Sequence, residues 1–316
     1  MKKKKTITFW ILLFMLLAYG ASQGGINRKA GTSAYQFLKI GRGARAVGMG
    51  EAFTGLADDE NALYWNPAGL VQAKGQVATF SYNNYLADIQ AGFLGYLRPY
   101  GESNVLGISF LYMDYGDMEE RDDEGNKLGS FGASDIALSI SYAKPIRNRL
   151  SVGINGKIIY EKIGDYGSSD GYAIDLGGLY RLASGETRLG LMLQNLGFQR
   201  SGLTSEHKDP LPTTLRLGFS HSLKGLPLLV DLDLAKPLDN DLYFCLGGEL
   251  YSFKPLILRF GYNSQKKKDN KSNGDSLAGG SWGMGIHWQR FRFDYAYVFS
   301  FARLGGNHRL SISKNF

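Results

Sequence analysis

A single cysteine in 316 residues, Cys245, excludes an intrachain disulfide and reads as a small apolar filler. Histidine is nearly as scarce: His207, His221, His287 and His308 are scattered, and none has a partner at metal-ligand spacing. No metal site and no cofactor are expected. A serine hydrolase would need Ser and His on adjacent strands; His287 with Ser311 or Ser313 is conceivable, but no spacing singles them out, so no catalytic residue and no enzyme are expected. Beyond the N-terminus there is no apolar run of about 18 residues, so no transmembrane helix is available. Strong charge is also missing. The formal +7 includes Lys2, Lys3, Lys4 and Lys5, and subtracting these four leaves +3, which argues against a nucleic-acid partner.

Glycine (42 residues) and aromatic side chains (13%) are abundant, which together lean toward an all-β chain. The first residues run from four lysines through an apolar stretch, Ile7 to Ala18, to the small residues Gly20 and Ala21. This is the order of a secretory signal peptide over residues 1–21, cleaved near Gly20 or Ala21, and it implies export.

From Gln76 onward apolar and small or polar residues alternate. In "FRFDYAYVFS", Phe291, Phe293, Tyr295, Tyr297 and Phe299 share one face, and Arg292, Asp294, Ala296, Val298 and Ser300 share the other. About fourteen such segments follow one another, centred near residues 80, 92, 110, 138, 156, 176, 192, 217, 232, 246, 260, 285, 295 and 312. Their connections alternate between tight ("YGES", "IRNR", "SGE", "KG", "FKP", "QR") and long (residues 117–133, 164–170, 198–212 and 265–280). Short turns at one end and longer loops at the other predict an antiparallel transmembrane β-barrel of about 14 strands over residues 75–316, with the short turns periplasmic. Asp135, Asp175, Arg188, Arg216, Asp231, Asp233, Glu249, Arg259, Arg292 and Asp294 fall on the less apolar faces. A basic residue facing mid-membrane lipid costs about 2–4 kcal/mol, so these charges are expected to point into the lumen, with lipid against the apolar faces. A soluble β-sandwich would also alternate, but it explains neither the loop asymmetry nor the aromatic density.

Residues 22–74 lack this alternation. Short helical turns are expected at residues 34–40, 44–57 and 60–64, the last capped by Asp58 or Asp59, followed by a turn at "NPAG". Placed ahead of the first strand, the segment is expected to fold back into the lumen as a partly helical plug. Its stretch "KIGRGARAVGMG" partly fits a dinucleotide fingerprint, but that motif needs a parallel α/β sheet around it. Gly41, Gly43, Gly48 and Gly50 are better read as permitting close backbone approach, with Arg42 and Arg45 pairing to inward carboxylates such as Asp231 or Asp294. Asn66 can bond its local backbone and Pro67 fixes φ, so the pair is expected to form a rigid corner before the first strand. The acidic "RDDEGNK" lacks a calcium-loop pattern and reads as a solvated loop. The basic "QKKKDNK" reads as a charged loop that could also meet lipopolysaccharide phosphates.

The segments "QFLKIG" (36–41), "GARA" (43–46), "GMGEAF" (48–53), "ADD" (57–59) and "YWNPAGL" (64–70) resemble the N-terminal signature of the PorV/PorQ family of outer-membrane proteins, within the FadL-like transporters. On that resemblance Gly41, Gly43, Arg45, Gly48, Gly50, Asp58, Asp59, Trp65, Asn66 and Pro67 are the hatch motif. The final strand "HRLSISKNF" resembles a barrel-assembly signal, carried by Leu310, Ile312 and Phe316, with Lys314 departing from the pattern. The resemblance implies a fourteen-stranded bacterial outer-membrane barrel with a hatch, in contact with lipid, and two possible roles. One is accessory work in type IX secretion, engaging secretion components and the C-terminal domains of secreted proteins. The other is passive passage of hydrophobic solutes, for which Phe37, Leu38, Met49 and Phe53 would line a greasy pocket.

Overall fold

The computed structural model describes residues 27–86, 89–204, 207–253, 255–269, 277–299 and 307–316. The expected signal peptide lies outside them. Fourteen antiparallel strands form a closed barrel in which each strand pairs with its sequence neighbours and the first pairs with the last. They are β1 Val77–Asn84, β2 Gln90–Tyr100, β3 Asn104–Arg121, β4 Lys127–Arg147, β5 Leu150–Ile163, β6 Gly167–Arg181 and β7 Thr187–Ser201. The circuit continues through β8 Thr214–Ser222, β9 Leu228–Pro237, β10 Tyr243–Phe253, β11 Leu256–Asn263, β12 Gly280–Trp288, β13 Phe291–Val298 and β14 Asn307–Asn315. All fourteen expected centres fall inside these strands. Closure removes the edge that an open sheet would expose to lipid, where an unpaired backbone group is costly.

Alternation sets the two faces. Leu94, Ile140, Ile158, Leu217, Phe260 and Leu310 are each half exposed or more and form the outward apolar band. Asp175, Asp233 and Arg259 are fully buried on the other face, and Asp135, Arg216, Asp231, Glu249 and Asp294 nearly so, as the cost of charge against lipid requires. At the last strand Leu310, Ile312 and Phe316 all face outward, and the Phe316 amide donates to the Gln76 carbonyl at 3.0 Å. Lys314, on the same face, keeps its ammonium 4.6 Å from the Phe316 ring centre and 5.7 Å from that of Phe291, a snorkelled position that suits the membrane rim.

Two expected long loops prove to be mostly strand. β3 and β4, 18 and 21 residues long, carry pairing through residues expected to be unpaired, from Asp117 opposite Gly132 to Arg121 opposite Lys127. β5 and β6 continue to Ile163 opposite Gly167. About 9–11 residues suffice for a tilted strand to cross a bilayer, so these four stand well beyond it on the long-connection side, as a crown over one sector of the rim. At its base the Phe131 and Tyr166 rings meet edge to face at 5.1 Å.

The helical plug is shorter than expected. A 3-10 helix spans Gln36–Lys39, α1 spans Ala44–Gly48, α2 spans Ala62–Trp65 and a second 3-10 helix spans Pro67–Gln72. The expected helix over 44–57 stops at Gly48 because Gly50 and Glu51 take positive φ. A further short helix, α3 Ser264–Asp269, sits between β11 and β12. Among the described residues no helix is long and apolar enough to cross a membrane.

Candidate functional site

The hatch, not the strands, supplies the bulky part of the core. Phe37, Leu38, Met49, Phe53, Leu56, Leu63, Trp65 and Leu70 are at most 1% exposed inside the barrel. Burying each such side chain contributes about 1.5–3 kcal/mol, so the plug has its own reason to stay in the lumen. Its backbone then bonds around the wall. Ala44 N donates to Ser311 Oγ on β14, Gly50 N to Ser281 Oγ on β12, and Thr54 N to Asp233 on β9. The carbonyls of Leu63, Tyr64 and Ala68 accept from Asn155, Gln194 and Ser151 on β5 and β7.

Glycine makes this contact close enough. A Cβ on Gly261 of β11 would sit 1.9 Å from Gly50 N, and one on Gly218 of β8 would sit 2.2 Å from Gly55 N. Neither position has room for a side chain, because the obstruction is backbone. Gly43 needs its freedom for another reason, with φ at +77° and Asn61 Oδ1 filling the space of a Cβ.

Charge fixes the same surfaces. Arg45 bonds Asp58 and Asp59 at 2.7 Å each and clasps Glu249 of β10 with two bonds of 2.8 and 2.9 Å. Glu249 also accepts from Arg259 at 2.7 Å, and Arg259 reaches Asp294 at 2.7 Å. Arg292 then joins Asp294, Asp59 and Glu60. The network therefore runs from hatch to wall and back. Burial would raise Asp59, but Arg292 and Arg45 together hold it below the usual carboxylate range. Glu60 is pushed up to about 7 by burial, with Asp59 adding to the rise and Arg292 opposing it. Arg45 does reach an inward carboxylate, but it is Glu249, shared with Arg259, in place of the expected Asp231 or Asp294. Arg42 pairs with neither; among the described residues its side chain bonds the Phe37 carbonyl, from Nη2 at 3.3 Å.

The remaining hatch positions serve local structure. Asp59 Oδ1 accepts from the backbone and side chain of Asn61, at the start of α2. Trp65 Nε1 donates to the Arg42 carbonyl, tying the two ends of the motif together. Asn66 Oδ1 accepts from Ala68 N, while its amide donates to the carbonyls of Thr54 and, on β6, Gly178, so the corner at Asn66 and Pro67 is bonded to hatch and wall at once.

Above the hatch, at the end of the barrel with the longer connections, lies a vestibule of about 390 Å³, within the size range of ligand pockets. Phe37, Leu38 and Ile40 of the hatch and Tyr85, Met113 and Val298 of the wall supply its apolar surface. Glu51, Arg216, Asn263 and Arg309 supply its polar surface. Of the four expected lining residues, Phe37 and Leu38 border this cavity. Met49 and Phe53 do not; Met49 packs under Gly247, and Phe53 lies 5.4 Å beneath the Arg45 guanidinium. The polar rim was not anticipated. Lys39 pairs with Asp239, and Lys266 with Glu51 at 2.6 Å, which draws Glu51 below its ordinary range despite its burial. Lys268 turns to Asp241, so two lysines of "QKKKDNK" serve the rim. His287 lies on β12 and Ser311 and Ser313 on β14, with β13 between them. Among the described residues no group of His, Cys, Asp and Glu is arranged to hold a metal.

A family model described as "Type IX secretion system protein PorV" matches residues 23–224, spanning the hatch and β1 to β8. Among solved structures, the toluene transporter TodX of Pseudomonas putida is 14% identical, with 87% of this chain and 98% of that chain covered at a TM-score of 0.62. The toluene transporter TbuX of Ralstonia pickettii is 14% identical over 87% and 98%, at 0.61. A FadL homologue of Pseudomonas aeruginosa is 12% identical over 86% and 98%, at 0.57. At these identities the likeness is one of fold. No curated protein sequence matches the chain.

Proposed function

Because the chain belongs to the PorV family of type IX secretion system proteins, we propose that it is a non-catalytic docking component of protein export at the outer surface of the outer membrane. In this reading it receives the C-terminal domains of secreted proteins at the vestibule and the crown. The observation that carries it is the asymmetry of the lumen. The hatch is bonded to the wall at many points, and the vestibule lies on its long-connection side, so a partner arriving from outside meets a shaped pocket above the hatch. The crown of β3 to β6 supplies what a pocket of 390 Å³ lacks, an extended surface for a folded partner.

The fold it shares with hydrocarbon channels supports a second reading, in which the vestibule receives a hydrophobic solute and the hatch yields to it. One experiment separates the two. The full chain is reconstituted in liposomes and assayed for binding of a purified C-terminal domain from a secreted protein of the same cell, and in parallel for uptake of toluene or a fatty acid. Binding that is lost when residues 119–130 are replaced by a short turn, with barrel folding intact and no solute uptake, is expected. Uptake without binding overturns the docking role in favour of the channel.

A further inference from the structure

Beside the vestibule lies a second void of about 10 Å³, between hatch residues 42–44 and the lumen wall of β1, β2 and β14. That is space for one water-sized particle. Arg309 borders both cavities. The polar groups around the small one are short of partners. Arg42 is 3% exposed, and its Nε and Nη1 have no hydrogen-bond partner among the described residues. Asn83 of β1 is 5% exposed, and among the described residues neither the nitrogen nor the oxygen of its side-chain amide has a hydrogen-bond partner. Arg309, directly opposite Asn83 in the β1–β14 register, spends its bonds on the Gly41 carbonyl and, at 3.3 Å, on Asn307.

Two buried guanidinium groups thus meet here, and among the described residues neither forms an ion pair. Burial lowers Arg42 to about 10, and the like charge of Arg309 contributes, which still leaves it protonated at neutral pH. Of the described carboxylates nearby, Glu51 is committed to Lys266 and Asn263, and Asp135 to the Tyr115 hydroxyl at 2.6 Å. A buried cation without a counter-charge is among the most destabilising arrangements a fold can hold. Other buried cations of this lumen, Arg45, Lys157, Arg216, Arg259 and Arg292, each hold a carboxylate.

We propose that the void is a binding site for one small monovalent anion, chloride in an ordinary medium, held by Arg42, Arg309 and the Asn83 amide. The chemistry follows from its walls. Guanidinium N–H groups and an amide N–H are donors, and the donor set carries a double positive charge. Phe93 and Ala91 close the sides with apolar surface, and the volume excludes phosphate, sulfate and carboxylates. A bound anion would tie the hatch to the two strands at which the barrel closes.

The test uses the purified, folded full chain in detergent, with bromide as the probe. Sodium bromide replaces sodium gluconate at constant ionic strength, and the unfolding temperature is followed by the heat-induced shift of the barrel in gels. The expected result is a saturable rise with bromide, and a single anomalous bromide peak between Arg42 and Asn83 in crystals. Asn83→Asp, which supplies a fixed carboxylate at the site, is expected to fold and to lose the bromide response, while Arg188→Gln, remote from the void, keeps it. Arg42→Met is expected to lose the response as well; if it fails to fold, Asn83→Asp carries the test. A flat titration of the wild type with no bromide peak would mean that water fills the void and would overturn the proposal. So would an Asn83→Asp protein that retains the full response.

Discussion

Arg45 is the residue whose removal should most weaken the seating of the hatch, and the chain contains its own reporter. Arg45→Met deletes contacts to Asp58, Asp59 and Glu249 while roughly preserving the volume over Phe53. Breaking a buried ion pair from one side costs about 3–5 kcal/mol. Each abandoned carboxylate keeps one other cation here: Glu249 has Arg259 at 2.7 Å, Asp59 has Arg292 at 3.0 Å and Asp58 has Arg188 at 3.4 Å. The lower end, about 3 kcal/mol, is therefore appropriate, and it corresponds to a rise of roughly two powers of ten in the population with the hatch undocked. Cys245, the only cysteine, is fully buried on the lumen face of β10. Its rate of labelling by a small maleimide follows that population as long as reclosing is fast. Arg45→Met should label about 100-fold faster than wild type in a barrel that still resists heat. In a double-mutant cycle with Glu249→Gln, a coupling of about 2 kcal/mol is expected. Labelling at the wild-type rate, or strict additivity in the cycle, would refute the claim that this cluster holds the hatch.

Gly261→Val should prevent the hatch from seating at all, because the Cβ position is 1.9 Å from Gly50 N and backbone cannot yield; rapid Cys245 labelling or failed assembly is the readout, and a normally closed barrel would contradict it. The first described residues lie at the long-connection end, where Asn27 bonds Asp241 at 2.8 Å and Ala34 N donates to the Pro210 carbonyl. Lys29→Cys, combined with Cys245→Ala, is therefore expected to react with a membrane-impermeant maleimide on intact cells; protection there with labelling only after lysis would reverse the orientation. Glu60 binds its proton more tightly in the docked hatch, at about 7, than at its ordinary 4.5. The stability this group contributes is full below about 4.5 and is lost as pH rises toward 7. Glu60→Gln should flatten that stretch of the profile of unfolding temperature against pH, and an unchanged profile would assign the titration to another group.

Most of the fold was legible because a membrane barrel writes itself in period two. Each strand must turn apolar side chains to lipid and charges to the lumen, so Asp231, Asp233, Arg259 and Asp294 announce their direction one residue at a time. Alternation cannot show where a strand stops, since β3 and β4 stay paired beyond the membrane, where neither face has to be apolar. Nor does it reveal partners. That Arg45 meets Glu249 rather than Asp294 depends on how the hatch is turned inside the barrel, a three-dimensional fact that alternation along a strand does not record.

The glycines of "KIGRGARAVGMG" carry the sharper lesson. In the sequence they are ambiguous between cradling a phosphate and permitting contact. Two of them have counterparts in the wall, Gly50 facing Gly261 on β11 and Gly48 lying against Gly283 on β12, while Gly41 and Gly43 meet the side chains of Glu51, Trp65 and Asn61 within the hatch. A phosphate loop needs glycine on one side only, because its ligand fills the other. Glycine on both sides leaves no space for a ligand and brings two backbones together. The two cavities lie where that pairing lapses, above Phe37 and Leu38 in the vestibule and beside Arg42.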